Sequence, residues 1–280
     1  YQEGTTHTFT NVQAAHTIDF AWKLQFWVNF EQTGVPDGVT AHVTVNSVQN
    51  TLPYSDWFDK DFIISFAYED PVPGVIGTRY VLTNTSEESP LMVEAAITVT
   101  ANYKTQYYVT FAHTGLDSTA TGTVVTVGGS SKTFLDLPYG DWFDNGTTYT
   151  YSDIVSSSVA AKRFRLDSIT GPASPITNSG TVTGEYIPQY KVTFTQSGLD
   201  TTATGTVVTV DGVSKTYEDL PFTTAWLDNG TSLAFEYSSI VSSSIPNKQF
   251  ELVSVSHTSP LSVTAPTTVA GTYGTQCYVT

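Results

Sequence analysis

Every second position is apolar in a short segment that occurs four times along the chain. It reads Gln106-Tyr107-Tyr108-Val109-Thr110-Phe111, then Gln189-Tyr190-Lys191-Val192-Thr193-Phe194, and more loosely Gln25-Phe26-Trp27-Val28-Asn29-Phe30. A fourth copy, Gln276-Cys277-Tyr278-Val279-Thr280, stops with the sequence. Such alternation predicts a strand with one buried face. The inward positions hold an aromatic ring or Cys277, then Val, then Phe. The shared Gln sets a period of about 83 residues, too long for a solenoid unit or propeller blade and long enough for a small domain with its own core.

Between one opening segment and the next, the landmarks keep their order. A turn follows at Gly34-Val35-Pro36-Asp37, Gly115-Leu116-Asp117 and Gly198-Leu199-Asp200. A Val-rich strand ends at Val43-Thr44-Val45, Val125-Thr126-Val127 and Val208-Thr209-Val210, and runs into Asn46-Ser47, Gly128-Gly129 and Asp211-Gly212. The last two dipeptides tolerate positive φ and predict tight hairpins. Next come Leu52-Pro53-Tyr54 with Trp57, Leu137-Pro138-Tyr139 with Trp142, and Leu220-Pro221-Phe222 with Trp226. The proline is expected to end the hairpin, because it cannot donate to a ladder. A basic-aromatic strand lies around Arg79-Tyr80, Arg163-Phe164 and Gln249-Phe250, and a closing strand runs from Val99 to Tyr103, Val182 to Tyr186 and Val269 to Tyr273.

This amounts to about seven strands per repeat with turn signals every ~8–12 residues, the pattern of an immunoglobulin-like sandwich. The expected fold is all-β, with three tandem repeats at 23–104, 105–188 and 189–273. Residues 1–22 read as the tail of a preceding or complemented domain, since His16-Thr17-Ile18-Asp19-Phe20 resembles a closing strand without an opening one. Residues 274–280 read as an opening strand without its domain. Almost no linker separates one repeat from the next, which predicts stiff joints.

Charged residues make up only 13% of the chain, about half the usual globular share. Thr, Ser, Asn and Gly carry the polar surface instead. With 16 Tyr, 15 Phe and 5 Trp, the composition does not fit disorder. A net charge of −15 repels phosphate backbones and excludes nucleic acid as a partner. No stretch reaches the ~20 apolar residues of a membrane span. The single cysteine, Cys277, forms no intrachain disulfide; it is expected to be a small buried hydrophobe, with an intersubunit disulfide as the alternative.

Candidate chemistry is sparse. None of the five histidines recurs between repeats; His113 stands where Gln32 and Gln196 stand. No HExxH, GxSxG or CxxC occurs, so no catalytic residue, metal ligand or cofactor is expected, and the chain does not read as an enzyme. Asp56, Asp59 and Asp61, with Glu69 and Asp70, are read as turn residues in preference to a Ca²⁺ site, because their spacing does not match a Ca²⁺ loop. Three N-x-S/T sequons, at Asn84, Asn145 and Asn229, are candidate N-glycosylation sites; a tight Asn-Gly turn is the alternative at the last two. The recurring Trp57, Trp142 and Trp226 are read as packing residues in preference to sugar platforms.

The Gln-Tyr-x-Val-Thr-Phe segment, the Gly-Leu-Asp-x-x-Ala-Thr-Gly-Thr-Val-Val-Thr-Val runs at 115–127 and 198–210, Leu-Pro-x-x-x-Trp, and Asp-Asn-Gly-Thr at 144–147 and 228–231 resemble the tandem immunoglobulin-like modules of archaeal cell-surface proteins. The first repeat lacks the second and fourth of these motifs. The resemblance implies an extracellular, cell-surface structural role: a surface filament, an S-layer-type protein or an adhesin.

The unmatched ends suggest how such a protein joins to copies of itself. An unpaired strand recruits a partner. Entry of the last strand of one subunit into a sheet of the next is donor-strand complementation, and a contact of this kind that does not close builds a filament. The expected junction residues are Gln276, Cys277, Tyr278, Val279 and Thr280 at one end, and Phe9, Val12, Ile18 and Phe20 at the other. The alternatives are a segment of a longer S-layer protein and an adhesin or carbohydrate-binding stalk.

Overall fold

The computed structural model describes residues 10, 12–15 and 22–278. By internal packing the chain divides into two units, the first running to Gly74 and including Tyr80–Thr105, the second formed by Val75–Arg79 and Gln106 onward. The first unit holds one hydrophobic core and the second holds two. Among the described residues the helical content is a single turn, Phe134–Asp136, and no helix is long and apolar enough to cross a membrane.

In the first unit, strand Gln25–Thr33 lies between Tyr54–Asp59, antiparallel to it, and the beginning of Ile97–Thr114, parallel to it. Facing this sheet is a three-stranded one, with His42–Val45 between Val48–Thr51 and Phe66–Tyr68. The alternation of the opening strand sets what fills the gap: Val28 and Phe30 are fully buried, against Val43, Val99 and Tyr80. A parallel pair needs a long crossover between its strands, and here the rest of the sandwich supplies it. This is an immunoglobulin-like arrangement.

The second unit repeats the plan around each of its cores. Residues 106–111 lie between Tyr139–Asp144 and Gly180–Tyr190, and Val192–Ser197 lies between Phe222–Thr223 and Thr267–Cys277. The facing sheets centre on Thr123–Val127 and Val208–Val210. Val109, Phe111, Val192 and Phe194 are fully buried. Hairpins fall at Gly128-Gly129 and Asp211-Gly212 as expected, with positive φ at both residues of each, and Asn46-Ser47 makes the same positive-φ turn in the first repeat.

Two buried tyrosines tie each core to the backbone around it. The Tyr68 hydroxyl donates to the Val99 carbonyl and Tyr103 to that of Glu69, both at 2.7 Å. Tyr151 and Tyr186, then Tyr237 and Tyr273, repeat the pair and reach two carbonyls each. As expected, the hairpin strand stops before each Leu-Pro step, at Thr51, Thr133 and Lys215. The residues after it form a new strand, antiparallel to the opening one, so that Trp57 opposes Trp27 and Trp142 opposes Tyr108.

Candidate assembly interface

Strand Gly180–Tyr190 closes the second core with its first residues and reaches the third with its last. Gln189 pairs with Asp228 on one side and with Arg163 on the other. Gln189 is 6% exposed, so both ends of its amide need partners. Its Nε2 donates to Asp228 Oδ1 at 2.7 Å, and its Oε1 accepts from Arg163 Nε at 2.7 Å. Arg165 Nη2 donates to the other oxygen of Asp228 at 3.1 Å. The Gln189 hydrogen bond, then the Arg165 bond, holds the Asp228 carboxyl below the usual carboxylate range. The Arg163 guanidinium lies 4.5 Å from the centre of the Trp226 ring, and Lys191 Nζ 4.9 Å from it. Asn229 N–H donates to the Pro188 carbonyl at 2.8 Å. A planar cation on an indole face, hydrogen-bonded edge-on, gives the joint both attraction and orientation.

The same group recurs earlier in the second unit. Arg79 Nε donates to Gln106 Oε1 at 2.8 Å, Gln106 Nε2 donates to Asp144 Oδ1 at 2.7 Å, and the Arg79 guanidinium lies 4.4 Å from the Trp142 ring centre. Its marks are legible in the sequence as a basic residue before a buried ring, the shared Gln, and Trp-x-Asp. Sequence reasoning placed all three but did not join them.

At the far end of the third core the group is half built. Gln276 pairs with Gln249 and Cys277 with Lys248, and Tyr278 N–H donates to the Asn247 carbonyl at 2.9 Å. Gln249 Nε2 donates to Gln276 Oε1 at 2.8 Å, as an arginine does in the two joints. Gln276 Nε2, which in the joints meets an aspartate, donates instead to Glu251. Among the described residues no strand pairs the other edge of 274–278. That bare edge corrects the reading of Cys277, which is exposed. Tyr190 is buried in the same position because the Leu227 strand lies beside it, and among the described residues no strand flanks Cys277 in that way. A hollow of about 660 Å³, lined by Asn247, Lys248, Gln249, Gln276, Cys277 and Tyr278, marks this end.

The first repeat carries the complementary half. Gln25 Nε2 donates to Asp59 Oδ1 at 2.9 Å, and the Lys60 N–H donates to the Leu24 carbonyl at 2.7 Å, as at Gln189 and Asn229. Lys23 Nζ holds the other oxygen of Asp59 at 2.7 Å. Trp57 meets Trp27 edge-on at 5.3 Å and is 56% exposed. Among the described residues no cation covers it.

Of the other expected junction residues, Val12 is exposed and outside any strand, and Phe9, Ile18, Phe20, Val279 and Thr280 lie outside the described residues. The sequon residues Asn84, Asn145 and Asn229 are all exposed. The carboxylates noted above are engaged separately. Asp56 accepts from the Tyr54 hydroxyl and the Trp57 N–H, Glu69 lies 2.9 Å from His42 Nδ1, and Asp70 accepts from the Leu82 N–H. Among the described residues no three His, Cys, Asp or Glu side chains gather as a metal site would require.

No family model and no curated protein matches the chain. Solved structures align with it at low similarity. Two B repeat units of the collagen binding protein of Staphylococcus aureus share 10% identity over 90% of this chain and 75% of theirs, with a TM-score of 0.19. The pilus adhesin SpaC of Lactobacillus rhamnosus GG, in its open conformation, shares 10% identity over 92% of this chain and 44% of its own, with a TM-score of 0.23. A streptococcal ancillary pilin shares 10% over 89% and 99%, with a TM-score of 0.21. Scores this low identify neither fold nor function.

Proposed function

We propose that the chain is a structural subunit of an extracellular surface filament, made of three immunoglobulin-like modules, that joins copies of itself head to tail by strand donation. The observation that carries this reading is the edge at 274–278, hydrogen-bonded on one side and, among the described residues, bare on the other, where the equivalent residues around Gln106 and Gln189 are flanked on both. A bare edge is a template for another strand. Among the described residues the receiving site has a free edge too: Tyr54–Asp59 ends its sheet, with Gln25–Thr33 on its inner side. Residues 274–280 of one copy add to the sheet of the next, and such a contact propagates without closing. Glycans on Asn84, Asn145 and Asn229 supply hydration that so few charges do not.

The test is negative-stain microscopy of the full chain beside a chain lacking 274–280. Filaments from the first and single particles from the second are expected. Filaments from both would overturn strand donation, and filaments from neither would overturn the polymer.

One observation favours a second reading. Trp22, Trp27 and Trp57 all present exposed indole surface, as an adhesin's sugar platform would. Quenching of tryptophan fluorescence by oligosaccharides, lost in Trp57→Ala, is the expected sign of that role.

A further inference from the structure

We infer that the junction between two copies has its own charge code, opposite in sign to the one between the second and third cores, and that Glu251 and Lys60 carry it. This rests on the head-to-tail reading above. Between the second and third cores, the upstream strand presents Arg163 and Arg165, and the downstream turn presents Asp228 and Asn229. Strand Lys248–Val255 occupies the upstream place at the end of the third core, with the same register to its closing strand: Gln249 opposes Gln276 as Arg163 opposes Gln189, and Glu251 opposes Gly274 as Arg165 opposes Ile187. Arg165, the cation that grips Asp228 between the second and third cores, is replaced here by an exposed anion.

The first repeat answers with the opposite exchange. Its downstream turn is Asp59-Lys60, with Lys60 in the place of Asn145 and Asn229 and with the same backbone bond to the preceding strand. Lys23 already neutralises Asp59. A second copy bringing Glu251 to this end meets Lys60 and a neutralised Asp59, with Trp57 open to cover the uncharged Gln249. The same Glu251 brought against Asp228 would set two carboxylates together. Complementary charge selects the partner, and like charge rejects the wrong register. Occupancy of the Trp57 face by a second copy accounts for its having no cation among the described residues.

The test is sedimentation of full-length chains over a range of concentrations at low ionic strength. Glu251→Lys and Lys60→Glu, both at exposed positions, are each expected to weaken self-association on the order of tenfold. An equimolar mixture of the two variants, and the double variant alone, should recover it. Raising salt should weaken the wild type and not the uncharged pair Glu251→Gln with Lys60→Gln. If both single variants assemble like the wild type, the charge code is overturned while the filament stands. A wild type that stays monomeric throughout overturns both.

Discussion

The guanidinium of Arg163 lies 4.5 Å above the Trp226 ring while its Nε donates to Gln189, so one side chain bridges the last strand of one core and the tryptophan of the next. Arg163→Ala removes a cation–π contact and leaves the nearly buried Gln189 carbonyl without a donor. A loss of about 2 kcal/mol is expected for the joint. The check is a urea titration followed by tryptophan emission, with acrylamide quenching rising in the native state as Trp226 is uncovered. Arg163→Lys should recover part of the loss, because it restores charge without the planar fork.

How much of this the sequence shows can be judged at particular residues. Val28 and Phe30, and their counterparts, are inward because alternation dictates it. The tight hairpins at Gly128-Gly129 and Asp211-Gly212 follow from the conformational freedom of Gly and Asp. The parallel seating of the opening strand against the closing one is not legible, since local pattern carries no information about partners far along the chain. Gln189 shows the same limit: it marks the repeat in sequence, but its role depends on Asp228 and Arg163, which only folding brings together. Cys277 is the opposite case. Alternation gives its face, but burial also needs a strand on both sides, and the described strands supply only Lys248–Val255.

Burial holds the hydroxyls of Tyr103, Tyr237 and Tyr273 up at about 12 and pushes Tyr68, Tyr151 and Tyr186 up further still. The unfolded chain loses these protons near 10.0. Between those values the native state keeps protons that the unfolded state has released, so stability is full below pH 10 and falls as pH rises through the native values. Ultraviolet titration should show exposed tyrosines ionising reversibly first and these six only with unfolding. Tyr237→Phe, which deprives the Thr195 and Val269 carbonyls of a donor, should cost about 2 kcal/mol in the third core.

Gly198 has a φ of +89°, and a Cβ placed on it would overlap the Tyr273 carbonyl oxygen; Gly34 and Gly115 meet Tyr103 and Tyr186 in the same way. Gly198→Ala therefore combines backbone strain with a collision against the closing strand. A loss of about 3 kcal/mol or more is expected. Gly205, at φ +84° with open space around it, isolates the backbone contribution: Gly205→Ala should cost only about 1 kcal/mol. Thermal unfolding of the two variants side by side gives the difference.

His113 stands on the strand where the other repeats carry glutamine, and there its Nδ1 is buried without a partner. Gln32 bonds both the N–H and the carbonyl of Val35, and Gln196 accepts from the Leu199 N–H, which fastens the turn after the strand. His113 instead packs its ring 5.0 Å from that of Phe134. Restoring the amide with His113→Gln should stabilise the second core by about 1 kcal/mol at neutral pH. Burial also lowers the His113 pKa below 6.5. As pH falls through 6.5, the unfolded chain takes up a proton that the native state resists, so the wild type loses stability until pH reaches the depressed native value. The glutamine variant has no such group and should lose this part of the acid slope. Urea midpoints on either side of pH 6.5 make the comparison. An unchanged slope in the variant would overturn the assignment of this part of the acid sensitivity to His113.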